Sequence, residues 1–172
     1  MSIWDLFKNK ELSMANFNQQ AIGNYYRTYL FKVIIEGGGT KTAMEWIATT
    51  ATPHMTTTIQ NVDYMHTQIR QAGRVTPNQW TVTVRDDAES DAFMYFNNWR
   101  NDIYPLITGT TPQRYKRSAD LILLPPDQDS RERKYTLHGV WPFELGSVQL
   151  DYDQENIAVF PVTLSFDFFT AG

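Results

Sequence analysis

Residues 157 to 170 read IAVFPVTLSFDFFT, and Phe160, Val162, Leu164, Phe166 and Phe168 all fall on one side of that run. Thr163, Ser165 and Asp167 fall on the other. This is the period of two expected of a strand with one buried face. The alternation recurs upstream. Trp80, Val82 and Val84 alternate with Thr81, Thr83 and Arg85, and Tyr29, Phe31, Val33 and Ile35 alternate with Leu30, Lys32, Ile34 and Glu36 before Gly37-Gly38-Gly39 signals a turn. Further strands are expected over residues 42 to 50, 118 to 124, 134 to 140 and 146 to 153.

One segment has a different period. Asp86 and Glu89 have the spacing of a capping box, and Asp87 and Asp91 add negative charge where a helix dipole is positive. Ala92, Phe96, Trp99 and Ile103 follow at helical spacing, so an amphipathic helix is expected over about residues 88 to 103, ended by Pro105 and Gly109. Several strands with one helix make the chain mainly β, a two-sheet antiparallel sandwich or barrel with one flanking helix. Its expected core includes Trp80, Phe96, Trp99, Val162, Leu164 and Phe166. Residues 1 to 172 are expected to form a single domain, with a variable N-terminal arm or short helix at about 1 to 26.

Residues 55 to 70 break the pattern. Thr56, Thr57, Thr58, Gln60, Asn61, Asp63, Thr67 and Gln68 put polar groups on both faces of a β-prone stretch. Such a strand gains little from burial in its own domain, so it reads as a solvent-lining or intersubunit strand rather than a plain surface hairpin.

Composition narrows the function. The 172 residues are 42% hydrophobic, 20% charged and 14% aromatic, ordinary for a soluble globular chain except for the aromatic excess. Aromatic residues favour strands and assembly interfaces. A net charge of −4 does not attract nucleic acid to the chain as a whole, and the lack of cysteine removes disulfides, thiolate nucleophiles and Cys-ligated metals. No apolar run approaches the ~20 residues of a membrane span, and no secretory signal or membrane anchor is read.

Catalytic patterns are missing. His54, His66 and His138 are far apart, no Gly-x-Ser-x-Gly occurs, and Gly37 to Lys41 lacks the spacing of a phosphate-binding loop. Asp151, Asp153 and Glu155 lack the glycine and terminal glutamate of a calcium loop and read as a solvated turn. No cofactor is expected and no enzymatic activity. Arg114, Lys116, Arg117, Arg131, Arg133 and Lys134 are interleaved with Asp129 and Glu132, which suits contacts with acidic faces of neighbouring subunits better than phosphate binding. The charged intersubunit candidates are Arg114, Lys116, Arg117, Arg131, Asp151 and Asp153.

Several strings then coincide in order and spacing: QWTVTVRDD at 79 to 87, the helix with Phe96 and Trp99, YKRSA at 115 to 119, LHGVWP at 137 to 142 and GSVQLDYD at 146 to 153. With the closing run, they resemble the tail tube proteins of contractile-tailed bacteriophages over about residues 27 to 170. The resemblance implies hexameric rings that stack into a hollow tube, with strands of neighbouring subunits merged into a barrel around the channel. It implies a virion location in the phage tail, after a stay in the host cytoplasm. The implied partners are further copies of the chain, the tail sheath, the baseplate or tube initiator, the tape measure and the tail terminator, with DNA passing through the lumen without specific binding. Thr58, Gln60, Asp63 and Gln68 become candidates for the lumen or intersubunit strand. Two alternatives stand beside this: the tube subunit of a contractile secretion or injection machine, and a monomeric carbohydrate-binding β-sandwich using Trp46, Tyr64 or Trp141 as stacking platforms.

Overall fold

The computed structural model describes residues 26–37, 40–43, 45–86, 89, 91–105, 109, 114–126, 131–148, 150, 153 and 155–172. Expectations for the N-terminal arm, Asp151 and the turn glycines Gly38 and Gly39 lie outside these residues. The chain divides into two compact units, one built from residues 1–31 with 123–132 and the other from 32–122 with 133–172. In the first, Leu124 N–H donates to Leu30 O at 2.9 Å and Tyr26 Oη donates to Arg131 O at 2.6 Å.

The second unit holds the sheets. Its strands are β1 (Phe31–Gly37), β2 (Thr40–Ala43), β3 (Ile47–Thr50), β4 (Met55–Tyr64), β5 (Thr67–Pro77), β6 (Trp80–Arg85), β7 (Arg117–Leu123), β8 (Arg133–Leu145), β9 (Val159–Ser165) and β10 (Phe168–Ala171). One α-helix is found among the described residues, α1 (Asp91–Ile103). The order across the main sheet is β2-β1-β7-β8-β9-β6-β3, with β10 also paired to β8, while β4 and β5 form a separate two-stranded ribbon. The pairs β1–β2, β3–β6, β4–β5, β6–β9, β8–β9 and β8–β10 are antiparallel.

The 13-residue strand β8 serves two sheets. Tyr135 to His138 pair with β10, and Trp141 to Leu145 pair with β9. Between the halves sits Gly139 at φ 69°, a left-handed conformation that carries no penalty only for glycine. The partner breaks at the matching place, since Ser165 faces Trp141 and Phe168 faces His138, three residues on along each strand. Asp167 fills the gap. Its N–H donates to His138 O at 2.9 Å, and its carboxylate lies where a side chain on Gly139 would be. Both strands exchange faces here: Val140 and Pro142 are buried on one side of the corner and Leu137 on the other, as Phe166 and Leu164 are buried while Phe168 is half exposed.

Burial follows the alternation elsewhere. Trp80, Val82 and Val84 of β6, Phe160, Val162 and Leu164 of β9, Val33 and Ile35 of β1, Leu121 of β7 and Leu137 and Val140 of β8 are all buried and make up the core of this unit. Helix α1 presents Ala92, Phe96 and Trp99 to it at i, i+4 and i+7, the one-face spacing of an amphipathic helix. Trp99 is 1% exposed, and its indole N–H donates to Tyr115 O at 3.0 Å, which satisfies the one polar atom of a large apolar ring.

Several expected boundaries move. The helix starts at Asp91, so the Asp86 and Glu89 pair sits too early to act as its capping box; Asp86 N–H instead donates to Ala158 O at 2.9 Å. The expected strand at 42 to 50 is two strands, β2 and β3. The strand expected over 134 to 140 runs on to Leu145 as β8: Pro142 is buried and pairs with Leu164, and the irregularity falls just beyond it, before Glu144. Among the described residues of 146 to 153 no strand forms, and Gly146 N–H donates to Pro161 O at 2.7 Å instead.

Gly139→Ala is expected to destabilise the chain by about 2 kcal/mol or more, because its Cβ would collide with the Asp167 carboxylate on a left-handed backbone. Denaturant unfolding should find a smaller cost in an Asp167→Ala background. Equal costs in both would show that the carboxylate does not occupy the notch.

Candidate assembly surfaces

The β4–β5 ribbon answers to residues 55 to 70 of the sequence, but it folds as two strands joined at Met65-His66 and continues to Pro77. Met65 adopts a positive φ of 52° in the turn. Every residue from Thr56 to Ala72 is exposed, on both faces. The ribbon therefore has no buried side of its own, and a lone two-stranded hairpin is marginal in water.

Its register sorts the candidate residues. Paired residues of an antiparallel ladder share a face. Asp63 faces Gln68, and Gln68 Nε2 donates to Asp63 Oδ1 at 2.9 Å. Gln60 faces Gln71 on the opposite face. Thr58 sits at a bulge, where its hydroxyl donates to Arg74 O at 3.2 Å and a side chain on Gly73 would collide with it. The four candidates thus lie on one ribbon but not on one face. Nor is the ribbon acidic, since Arg70 and Arg74 accompany Asp63.

The charged candidates divide as well. Lys116 Nζ is 2.8 Å from each carboxylate oxygen of Asp167, and this hydrogen bond raises the Lys116 pKa above its ordinary value. Arg117 is held more tightly. Its guanidinium lies 4.2 Å from the Trp99 ring centroid and 5.5 Å from that of Tyr95, and donates to Tyr95 Oη at 2.9 Å. Both cations serve their own chain. Arg114, Arg131 and Asp153 are exposed. Sequence reading passed over Asp120, which is 2% exposed, meets Lys134 Nζ at 3.1 Å and accepts from Thr136 Oγ1 at 2.9 Å. An isolated aspartate between apolar neighbours gives no sequence signal of a cross-strand ion pair.

The possible sugar platforms do not come together. Trp46 packs on Tyr95, Trp141 on Tyr115 and Phe143, and Tyr64 stands on the ribbon. Among the described residues, no cluster of three or more His, Asp or Glu side chains could hold a metal ion.

Similar folds occur in components of contractile injection systems and of a phage tail. A chain of the anti-feeding prophage baseplate matches with TM-score 0.69 and 12% identity, over 87% of this chain and 97% of that one. A chain of the sheath and tube terminator of an extracellular contractile injection system matches with TM-score 0.68 and 16% identity, over 88% and 99%. The SPP1 tail tube matches with TM-score 0.54 and 8% identity, over 86% and 79%. At these identities the likeness defines the class by fold alone. Sequence narrows it further, although no family model matches the chain. The tail tube proteins gp19 of Enterobacteria phages T6 and T4 are each 33% identical over 150 residues, spanning 85% of this chain and 91% of theirs. The chain belongs to the phage tail tube protein family, and its relatives there are structural proteins.

Burial holds the Tyr95 phenol above its ordinary value of 10.0, with Arg117 pulling the other way. The unfolded chain then loses this proton first as pH rises, so the stability Tyr95 contributes is complete below about pH 10 and declines above it. Between about pH 9 and about pH 11, the unfolding free energy of Tyr95→Phe should fall less than that of the wild type. Identical slopes would remove Tyr95 as the cause.

Proposed function

We propose that copies of this chain close into hexameric rings, and that the rings stack into the hollow inner tube of a contractile phage tail, through which the genome is delivered. The supporting observation is the β4–β5 ribbon, an 11-residue and a 10-residue strand exposed on both faces in a member of the tail tube family. A ribbon without a core is stable only where further chains supply one. A heterologous contact repeated around an axis closes the ring, and stacking leaves both ends open for growth.

Thr58, Gln60, Asp63 and Gln68 contribute to the lumen wall or to contacts between subunits. Hydroxyls and amides predominate on the ribbon, so DNA would meet few fixed cations and release few counterions on contact. Exposed Arg114 and Arg131 are candidates for contacts with neighbouring subunits, with Asp151 and Asp153 as further candidates. The sheath, the baseplate or tube initiator, the tape measure and the terminator would be the other partners. Baseplate and terminator assemblies are the sources of two of the similar folds, which supports that reading. The role is mechanical, with no catalytic step, and the site of action is the virion after synthesis in the host cytoplasm. The same folds also favour a second reading, the tube of an injection machine without a genome to deliver.

Negative-stain electron microscopy of the purified chain over a concentration series, with its solution mass, is expected to find sixfold rings or hollow tubes. A chain that stays monomeric even when purified baseplates are added would overturn the tube reading.

A further inference from the structure

The apolar residues of the β4–β5 ribbon are not scattered. On one face the register aligns Thr57 with Val75, Ile59 with Ala72, Asn61 with Arg70 and Asp63 with Gln68. On the other it aligns Thr56 with Thr76, Gln60 with Gln71, Val62 with Ile69 and Tyr64 with Thr67. The first face is apolar near the root of the ribbon and polar toward its tip, and the second is the reverse. The exchange falls between the Gln60–Gln71 and Asn61–Arg70 pairs, next to the bulge formed by Thr58 opposite Gly73 and Arg74. Ile59, Val62, Ile69 and Val75 are 62%, 45%, 47% and 53% exposed, so among the described residues neither apolar half is covered.

Twist gives this diagonal division a use. A two-stranded ribbon turns by roughly 25–35° for every ~5 Å of its length, so the stretch from Thr56 to Tyr64 accumulates on the order of half a turn. A bulge adds to that locally. The polar root of one face and the polar tip of the other are thereby brought toward the same side. The two apolar halves are brought toward the opposite side.

We propose that the ribbon exchanges faces at its bulge, so that Ile59, Ala72 and Val75 at the root and Val62, Tyr64 and Ile69 at the tip are both covered by neighbouring copies of this chain. The polar halves, Thr56, Gln60 and Gln71 at the root and Asn61, Asp63, Gln68 and Arg70 at the tip, then form one continuous wet side. This rests on the tube reading and specifies it. The occupant is a second copy because the chain belongs to a tube-forming family, and because the ribbon pairs with no other strand among the described residues. Gln60 and Asp63, on opposite faces by register, both reach water on this account, and Val62, on the same face as Gln60, does not.

The chain contains no cysteine, so single cysteines can be read without background. Val62→Cys, Val75→Cys, Gln71→Cys and Asp63→Cys would be assembled alone, without sheath or baseplate, and reacted with a small maleimide before and after assembly. Microscopy of the same samples checks for tubes. Assembly should slow labelling of Val62→Cys and Val75→Cys by at least about tenfold, as burial of a side chain behind a closed contact does, and leave Gln71→Cys and Asp63→Cys close to their unassembled rates. Ile69→Cys and Gln60→Cys form a second set with the same expected split, should any of the first fail to assemble. Protection that follows a single face, with Val62→Cys and Gln71→Cys alike, would overturn the exchange while leaving the tube intact. Unprotected Val62→Cys and Val75→Cys in good tubes would overturn coverage by copies. Failure of the unmodified chain to form rings or tubes would sink the tube reading and this inference together.

Discussion

A strand that serves two sheets must turn where it passes between them, and the rest of this unit depends on how β8 does so. Gly139 adopts a left-handed conformation, and Asp167, between β9 and β10 of the same chain, closes over it while Lys116 holds the carboxylate. Because β9 and β10 bend with β8, the closing run of the chain pairs with both halves of one partner. The core forms between the sheets this corner joins, and α1 seals it with Phe96 and Trp99. The Lys116–Asp167 pair is largely solvent-exposed and contributes little by its charge alone. Its place is geometric, since the carboxylate occupies the space that a glycine leaves empty.

Stability and assembly are separated in this molecule. The sandwich has a buried apolar core of its own, and Asp120, buried in it, is paired across strands with Lys134 and Thr136. Arg117 stacks on Trp99 and ties β7 to the helix. The ribbon, by contrast, leaves six large apolar side chains in water, counting Met65 and Tyr64 with the four aliphatic residues of its faces. A chain built this way combines a core of its own with an incomplete surface. Family membership makes a polymer of the same chain the natural complement to that surface.

Much of this was legible in the residues. Period-two runs located β1 and β6 to within a few positions, while the single run over 157 to 170 is divided into β9 and β10; helical spacing named Ala92, Phe96 and Trp99 as the inward face of α1, and the polarity of residues 55 to 70 marked them as lacking a core. Local signals misled where two mechanisms compete for the same residues. Asp86 and Glu89 have the spacing of a cap, but the Asp86 backbone is already engaged by Ala158 and the helix waits until Asp91. Pro142 lacks a donor and reads as a stop, yet a bulge beside it lets the ladder continue to Leu145. Lys116 and Arg117 looked free for neighbouring subunits because neither Asp167 nor the Trp99 ring is near them in sequence.

The sequence by itself determined the fold class, the separation of a packed sandwich from an unpacked polar segment, and the kinship with tail tube proteins, because each is written in local periodicity or in strings of neighbouring residues. Only the tertiary structure decided which way those residues face. Phe168 continues the alternation of Phe160 to Phe166 without interruption, yet it lies on the outside, because the left-handed turn at Gly139 reverses both strands at the corner. Gln60 and Asp63 look equivalent in the sequence, yet the register places them on opposite faces of the ribbon. Facing depends on pairing between residues distant in the chain, and no local pattern carries that information.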